Sequence, residues 1–171
     1  MFNIFGFYKF KKLNNLKKLK NRLENNLKDY EIRGTIIISP EGVNGTISDK
    51  KNNLLKFNKL LKKILSIKKF NSENNSNSKF NPFHKLKIKI KKEVVPMGFK
   101  VKNYNFPKNN LNPREWNKII KKKDTVLIDA RKSFEYDVGT FKKSLNPNIE
   151  NFREFPKYLN QFKNNEKIAM F

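Results

Sequence analysis

Two stretches of the sequence hold most of the side chains able to do chemistry. In LIDARKSFEYDVGTFKKSLN, Asp129 and Arg131 stand where the apolar run TVLIDA (125–130) opens into a loop, and Glu135 and Tyr136 follow on a short helical segment that stops at Gly139. A paired charge more often positions a backbone than it reacts. Arg131 is therefore expected to bridge to Asp129 or Glu135 and pin the helix to the strand, which gives Asp129, Arg131 and Glu135 a scaffold role. In KLKIKIKK (85–92), Lys85, Lys87, Lys89 and Lys91 alternate with Leu86, Ile88 and Ile90, so one face of a strand carries ammonium groups and the other apolar ones. Such a row suits RNA phosphates, since each neutralised phosphate adds salt-dependent affinity. It equally protects an exposed strand edge from pairing with other sheets. Both readings stay open.

Other chemistry is excluded within these residues. The 171 residues contain no Cys and a single His. Disulfides, thiolate zinc sites, a cysteine nucleophile and a histidine metal cluster are thereby ruled out, and no metal site is expected. His84, beside Phe83 and the lysine row, has no carboxylate or Ser next to it in sequence and reads as packing. Glu41-Gly42-Val43-Asn44-Gly45 could cradle a phosphate on backbone N–H groups, but two glycines and an Asn at a tight hairpin read first as turn chemistry. Trp116 and the many Phe read as core, although an exposed aromatic could stack on a splayed base.

The formal net charge is +24. With 34 Lys and 27 Asn, part of that excess reflects compositional bias, yet its distribution is uneven. Residues 1–95 hold 23 basic and 7 acidic side chains, against 16 and 8 in the remainder. A polyanion partner held mainly by the N-terminal part is the expectation. No apolar run approaches the ~20 residues needed to span a bilayer, and the first ten residues do not read as a signal peptide, so the expected location is the cytoplasm.

The elements that must position these residues follow from period. FNIFGFYKF reads as a strand, and Leu13, Leu16, Leu19, Leu23 and Leu27 fall at helical spacing after it. IRGTIIIS and GVNGTIS flank Pro40-Glu41-Gly42 as a β-hairpin. Ser48 or Asp49 can cap a second helix carrying Leu54, Phe57, Leu61, Ile64 and Leu65. NSENNSNSKFN reads as a polar loop, and the lysine strand closes a βαββαβ order. That order predicts a four-stranded antiparallel ferredoxin-like sheet with both helices on one face, the lysine strand at an edge, and Leu86, Ile88 and Ile90 facing the helices. Residues 96–112 read as a linker. Beyond them, Asn112-Pro113 starts a helix with Trp116, Ile119 and Ile120 inward. TVLIDA is a buried parallel strand, followed by SFEYDVG, a helix around NFREFPKYLNQF and a final strand KIAMF. The expectation is α+β over 1–95, then α/β over 113–171.

LIDARKSFEYDVGTFKKSLN closely resembles the opening of a rhodanese domain, with Thr140 where most rhodaneses carry His. Read in order, FGFYKF, GTIIISPEGVNGTIS, PFHKLKIKIKKEVVPMG, PREWN, DTVLIDARKSFEYDVGTFK, NP and FREFPKYL resemble the bacterial tRNA uridine hydroxylases that contain a rhodanese domain, over nearly all of the chain. The resemblance implies an N-terminal acylphosphatase-like, ferredoxin-like domain and then a rhodanese domain. It further implies oxygen-dependent hydroxylation at C5 of the wobble uridine, with tRNA as partner, molecular oxygen as cosubstrate and any further cofactor unknown. In that family the strand matching KIAMF runs into a loop that begins with a Cys. The expectation is a chain cut before its catalytic loop and inactive by itself, because a rhodanese loop works by presenting a thiolate to backbone N–H groups. Two rivals remain: a rhodanese-type sulfurtransferase, and a non-catalytic RNA-binding module.

Overall fold

The computed structural model describes residues 1–98, 111–163 and 165–171. They fall into two compact units, one containing 1–95 and the other 111–171. Most of the expected linker, 99–110, lies outside the described residues.

The first unit runs β1 (Phe2–Phe10), α1 (Leu16–Leu27), β2 (Arg33–Ser39), β3 (Gly42–Asp49), α2 (Lys51–Leu65), β4 (Ser72–Ser78) and β5 (Leu86–Ile90). Alternation along the strands decides which face is covered. Phe5, Phe7, Ile36, Ile38 and Ile47 are buried in one cluster with Leu23 and Leu27 of α1 and Leu54, Phe57, Leu61, Ile64 and Leu65 of α2. Both helices therefore lie on the same side of the sheet. Phe5 and Phe7 stack at 5.3 Å between ring centroids, and Phe70 closes on Phe7 at 4.9 Å. The hairpin forms where expected, with Ser39 opposite Gly42.

The sheet itself corrects the expectation. It has five strands in the order β4-β1-β3-β2-β5, and β5 pairs parallel with β2 while the other pairs are antiparallel. The fourth ferredoxin-like strand is the segment expected to be a polar loop. SENNSNS pairs along β1 from Phe2↔Ser78 to Tyr8↔Ser72. None of its side chains is buried, so it carries no apolar alternation, and the backbone ladder to β1 holds it in place. The lysine strand is an added fifth strand at the opposite edge. On it Ile88 is buried and Leu86 packs partly on the core, but Ile90 is 40% exposed, at the end of a strand with no neighbour beyond it among the described residues. The start of α2 also differs. Its N-cap is Lys50, and Asp49 serves the first turn from one residue upstream, accepting the Lys50 N–H at 2.6 Å and the Asn53 side-chain amide at 3.0 Å.

The second unit contains α3 (Pro113–Ile119), β6 (Thr125–Ile128), α4 (Ser133–Val138), a single 3-10 turn (Phe152–Glu154), α5 (Phe155–Leu159) and β7 (Lys167–Met170). Asn112 caps α3 by accepting the N–H groups of Arg114 and Glu115, while Glu115 accepts the Asn112 N–H, a reciprocal capping box with Pro at the first helical position. β6 and β7 pair in parallel, Thr125↔Lys167 to Ile128↔Met170. Leu127, Ile128, Phe155 and Ala169 are its buried apolar residues, and Leu145 adds a parallel bridge to Ile128. No helix among the described residues is long and apolar enough to cross a membrane.

Candidate functional site

The end of β6 carries a dense polar junction. Asp129 follows the last strand residue, and its own N–H is tied to the Leu145 carbonyl at 3.0 Å, while Ala130 N–H reaches the Phe171 carbonyl at 2.8 Å. The chain must turn there, and the Asp129 side chain fixes how. Its Oδ1 accepts from Arg131 N at 3.1 Å and Nε at 2.9 Å, and its Oδ2 accepts from Arg131 Nη2 at 2.6 Å. Thr140 Oγ1 donates to Oδ2 at 2.8 Å and meets Ser144 Oγ at 2.7 Å. Arg131 Nη2 also donates to the Gly139 carbonyl at 2.7 Å, so one guanidinium clamps both ends of α4. Tyr136 closes the junction by donating its hydroxyl to the Ser144 carbonyl at 3.0 Å.

Asp129 is 1% exposed, yet its charge is well compensated. The Arg131 guanidinium, and after it the Thr140 hydroxyl, hold the carboxyl down at about 2 against an ordinary 3.8, although burial pushes the other way. The same pairing raises the Arg131 pKa. The guanidinium carbon lies 5.4 Å from the centroid of the Phe171 ring, and Phe171 packs edge-on against Phe141 at 4.9 Å and Trp116 at 5.9 Å. Trp116 therefore belongs to an aromatic cluster behind the pair.

Of the three expected scaffold residues, Asp129 and Arg131 hydrogen-bond to each other, and Arg131 also feels the charge of Glu135. Glu135 Oε2 accepts the Lys132 N–H at 3.3 Å, which caps its own helix, while Lys132 Nζ reaches the Glu150 carbonyl at 2.6 Å. Ala130, Arg131, Lys132, Glu135, Ile149 and Phe152 line a shallow cleft of about 180 Å³ beside the junction. Sequence pattern identifies neither Thr140 as a partner of Asp129 nor Ser144 as a partner of Thr140. The only signal was Thr140 itself, which occupies the place where the resembled domain usually has His. The hydroxyls of the arrangement are engaged in its own hydrogen bonds, and chemically it fixes a strand end and presents one edge of a guanidinium.

The lysine row occupies the outer strand of the first unit. Lys85, Lys87, Lys89 and Lys91 are all exposed, with Lys87 opposite Thr35 and Lys89 opposite Ile37. The hairpin residues are engaged structurally: Glu41 is 8% exposed and its Oε1 accepts the Val94 N–H at 2.8 Å. His84 is exposed rather than packed, which corrects the sequence expectation. It lies in the bend before β5, outside the alternation that buries Ile88. No cluster of three or more metal-ligating side chains occurs among the described residues.

Known proteins resemble the chain along its length. Residues 2–94 match the family described as the UPF0176 acylphosphatase like domain. A Pelagibacter ubique protein named tRNA uridine(34) hydroxylase is 60% identical over 171 residues, covering 100% of this chain and 57% of that one. Proteins of the same name from Legionella pneumophila (strain Corby) and Acinetobacter baumannii (strain AYE) are 37% and 38% identical over 172 residues. Those alignments cover 98% and 97% of this chain and 67% and 53% of the relatives. The chain thus spans roughly half to two thirds of the length of the curated relatives it matches.

Proposed function

The chain belongs to the tRNA uridine(34) hydroxylase family, whose N-terminal part is the UPF0176 acylphosphatase-like domain, and we propose that it takes part in the oxygen-dependent 5-hydroxylation of the wobble uridine of tRNA in the cytoplasm. The observation that carries this reading is the 60% identity to a protein of that name along the entire chain. In this reading, residues 1–95 grip tRNA and 113–171 form the first part of a rhodanese-like domain joined through 96–112. The +24 net charge supports a polyanionic substrate. The alternation of helices with the parallel β6 and β7 supports the α/β character of the second part.

The residues then divide the work. Asp129 and Arg131 set the direction of the chain leaving β6, and the Asp129–Thr140 hydrogen bond holds α4 beside it. These contacts position the strand ends from which a rhodanese-like domain presents its reactive loop. No side chain among these 171 residues offers a thiolate, so a thiol-dependent step needs a group from outside them. Molecular oxygen enters as cosubstrate, not as a resident group.

The test is genetic. Deleting the coding gene in its host and analysing tRNA nucleosides by mass spectrometry is expected to remove 5-hydroxyuridine and its derivatives. Unchanged 5-hydroxyuridine with loss of a thiolated nucleoside would assign the chain to sulfur transfer instead. No change in any modified nucleoside would leave only an RNA-binding role. A purified polypeptide of these 171 residues alone is expected to form no 5-hydroxyuridine above a protein-free control.

A further inference from the structure

The first unit's sheet has one face under α1 and α2 and, among the described residues, no helix of that unit on the opposite face. The pairing registers show what stands there. Tyr8, Asn44, Ile37 and Lys89 form one row across β1, β3, β2 and β5, and Gly6, Thr46, Thr35 and Lys87 form the next. Tyr8 is 37% exposed although its neighbours Phe5 and Phe7, on the other face, are 3% exposed each. Its ring meets Phe10 edge-on at 5.9 Å and 73°, which holds its plane. Beside it on the same face, Gly6 has no side chain, and a Cβ there would find nothing nearer than 3.8 Å. The result is an exposed aromatic ring beside a residue without a side chain, bordered by Asn74 and Thr46 at ordinary contact distance.

Charge completes the description. No strand residue on this face is acidic: Glu73 of β4 points to the helix side, where it pairs with Lys62 at 2.7 Å. Lys87 and Lys89 end the two rows, about 14 Å from Tyr8 if three strand spacings of ~4.8 Å separate β1 from β5. β4, at the other edge, is neutral Asn and Ser on this face. Phe2, Ile4 and Phe10 of β1 share this face and are half-buried, and beside them an exposed aromatic ring, an amide and a cationic border fit bases that stack and phosphates that pair.

We propose that this open sheet face binds an unpaired stretch of RNA, with Tyr8 stacking a base over Gly6 and with Lys87 and Lys89 holding the flanking phosphates. The proposal rests on the tRNA reading above and names the surface and the single-stranded character of what it holds. Duplex RNA buries its bases and cannot use Tyr8.

Fluorescence anisotropy tests it with three labelled probes: a single-stranded oligouridylate, a hairpin with a seven-nucleotide loop, and a blunt duplex. Tyr8→Ala is expected to weaken binding of the first two by about tenfold and to leave the duplex within about twofold, while Tyr8→Phe binds as the parent chain does. Lys87→Gln with Lys89→Gln is expected to weaken binding of the oligouridylate and to reduce the slope of log affinity against log salt by about 1.4. The control pair Lys56→Gln with Lys59→Gln, exposed on α2 and equal in charge, is expected to change that slope less. Circular dichroism of each variant confirms that the fold persists. The inference is overturned if Tyr8→Ala binds every probe like the parent, if the α2 pair has the larger effect, or if the parent binds no single-stranded probe. Loss of 5-hydroxyuridine on gene deletion would still stand in those cases, so the two readings fail separately.

Discussion

Thr140 donates its hydroxyl to Asp129 Oδ2 at 2.8 Å, on the same oxygen that accepts Arg131 Nη2 at 2.6 Å. The two donors reach the carboxylate from opposite ends of α4, so the charge of Asp129 holds the helix against the strand end. Folding stabilises the ionised form, with the carboxyl at about 2 in the folded chain against 3.8 ordinarily. The unfolded chain therefore takes up the proton first. The stabilisation is fully present above pH ~4 and is lost as pH falls towards ~2, and it amounts to on the order of 1–2 kcal/mol once the solvent around the half-exposed guanidinium is allowed for. Thermal unfolding between pH 2 and 6 measures it. Asp129→Asn is expected to lower stability at neutral pH and to flatten the slope below pH 4; an equal slope in parent and variant would disconnect Asp129 from the effect.

Arg131→Lys is expected to cost more than Glu135→Gln. A lysine ammonium cannot span both Asp129 oxygens and the Gly139 carbonyl as the guanidinium does. About 1–3 kcal/mol is the expected loss for hydrogen bonds to a buried charge. Glu135 accepts the Lys132 N–H at 3.3 Å on an exposed helix start and acts on Arg131 through its charge, so Gln keeps the Lys132 contact and should stay within about 0.5 kcal/mol. Urea unfolding of the two variants ranks them.

Much of the first unit is legible because its residues take sides. The Leu and Phe spacing of α1 and α2, the alternating β1 and the Pro40–Gly42 turn each specify an element that the structure contains. β4 escaped because period detects burial, and a strand whose partner supplies only backbone hydrogen bonds has none to show. Missing it displaced the lysine strand, which alternates correctly but sits beside β2 instead of β1. At the β6 junction, an Asp and an Arg two residues apart announce an ion pair, whereas the Thr140 hydroxyl, 11 positions beyond Asp129, meets it, and Ser144 meets Thr140, only through the return of the chain after α4. Local pattern does not contain that return.

The glycines of the first sheet divide into required and replaceable. Gly34, at φ 127°, and Gly42, at φ 150°, would place a Cβ 2.2 Å from the Thr46 carbonyl oxygen and 2.1 Å from that of Lys9. Both obstacles are backbone, so Gly34→Ala and Gly42→Ala are each expected to destabilise by more than about 2 kcal/mol. Gly6 has ordinary contacts at 3.8 Å, and Gly6→Ala is expected to be neutral or to stabilise by up to about 1 kcal/mol by reducing the freedom of the unfolded chain. Chemical denaturation midpoints decide, and a Gly42→Ala chain as stable as the parent would contradict the close approach to Lys9.

β5 pairs on one side only, with β2, and its other backbone edge is open among the described residues. An open edge invites a strand from another molecule, and lysines there oppose it because a second copy would bring its own lysines alongside at ~4.8 Å. Ile90 makes the hazard concrete: it is 40% exposed on this strand, next to Lys89 and Lys91. Replacing Lys85, Lys87, Lys89 and Lys91 together by Thr keeps β propensity and removes the repulsion. That variant is expected to self-associate in light scattering at concentrations where the parent chain gives a single species, and more so at high ionic strength, where the parent's own charges are screened to within ~3–8 Å. Gln at the same four positions should associate less than Thr, since its β propensity is lower, while it loses RNA affinity equally. If the Thr variant scatters like the parent at every concentration, edge protection is not what the lysines supply.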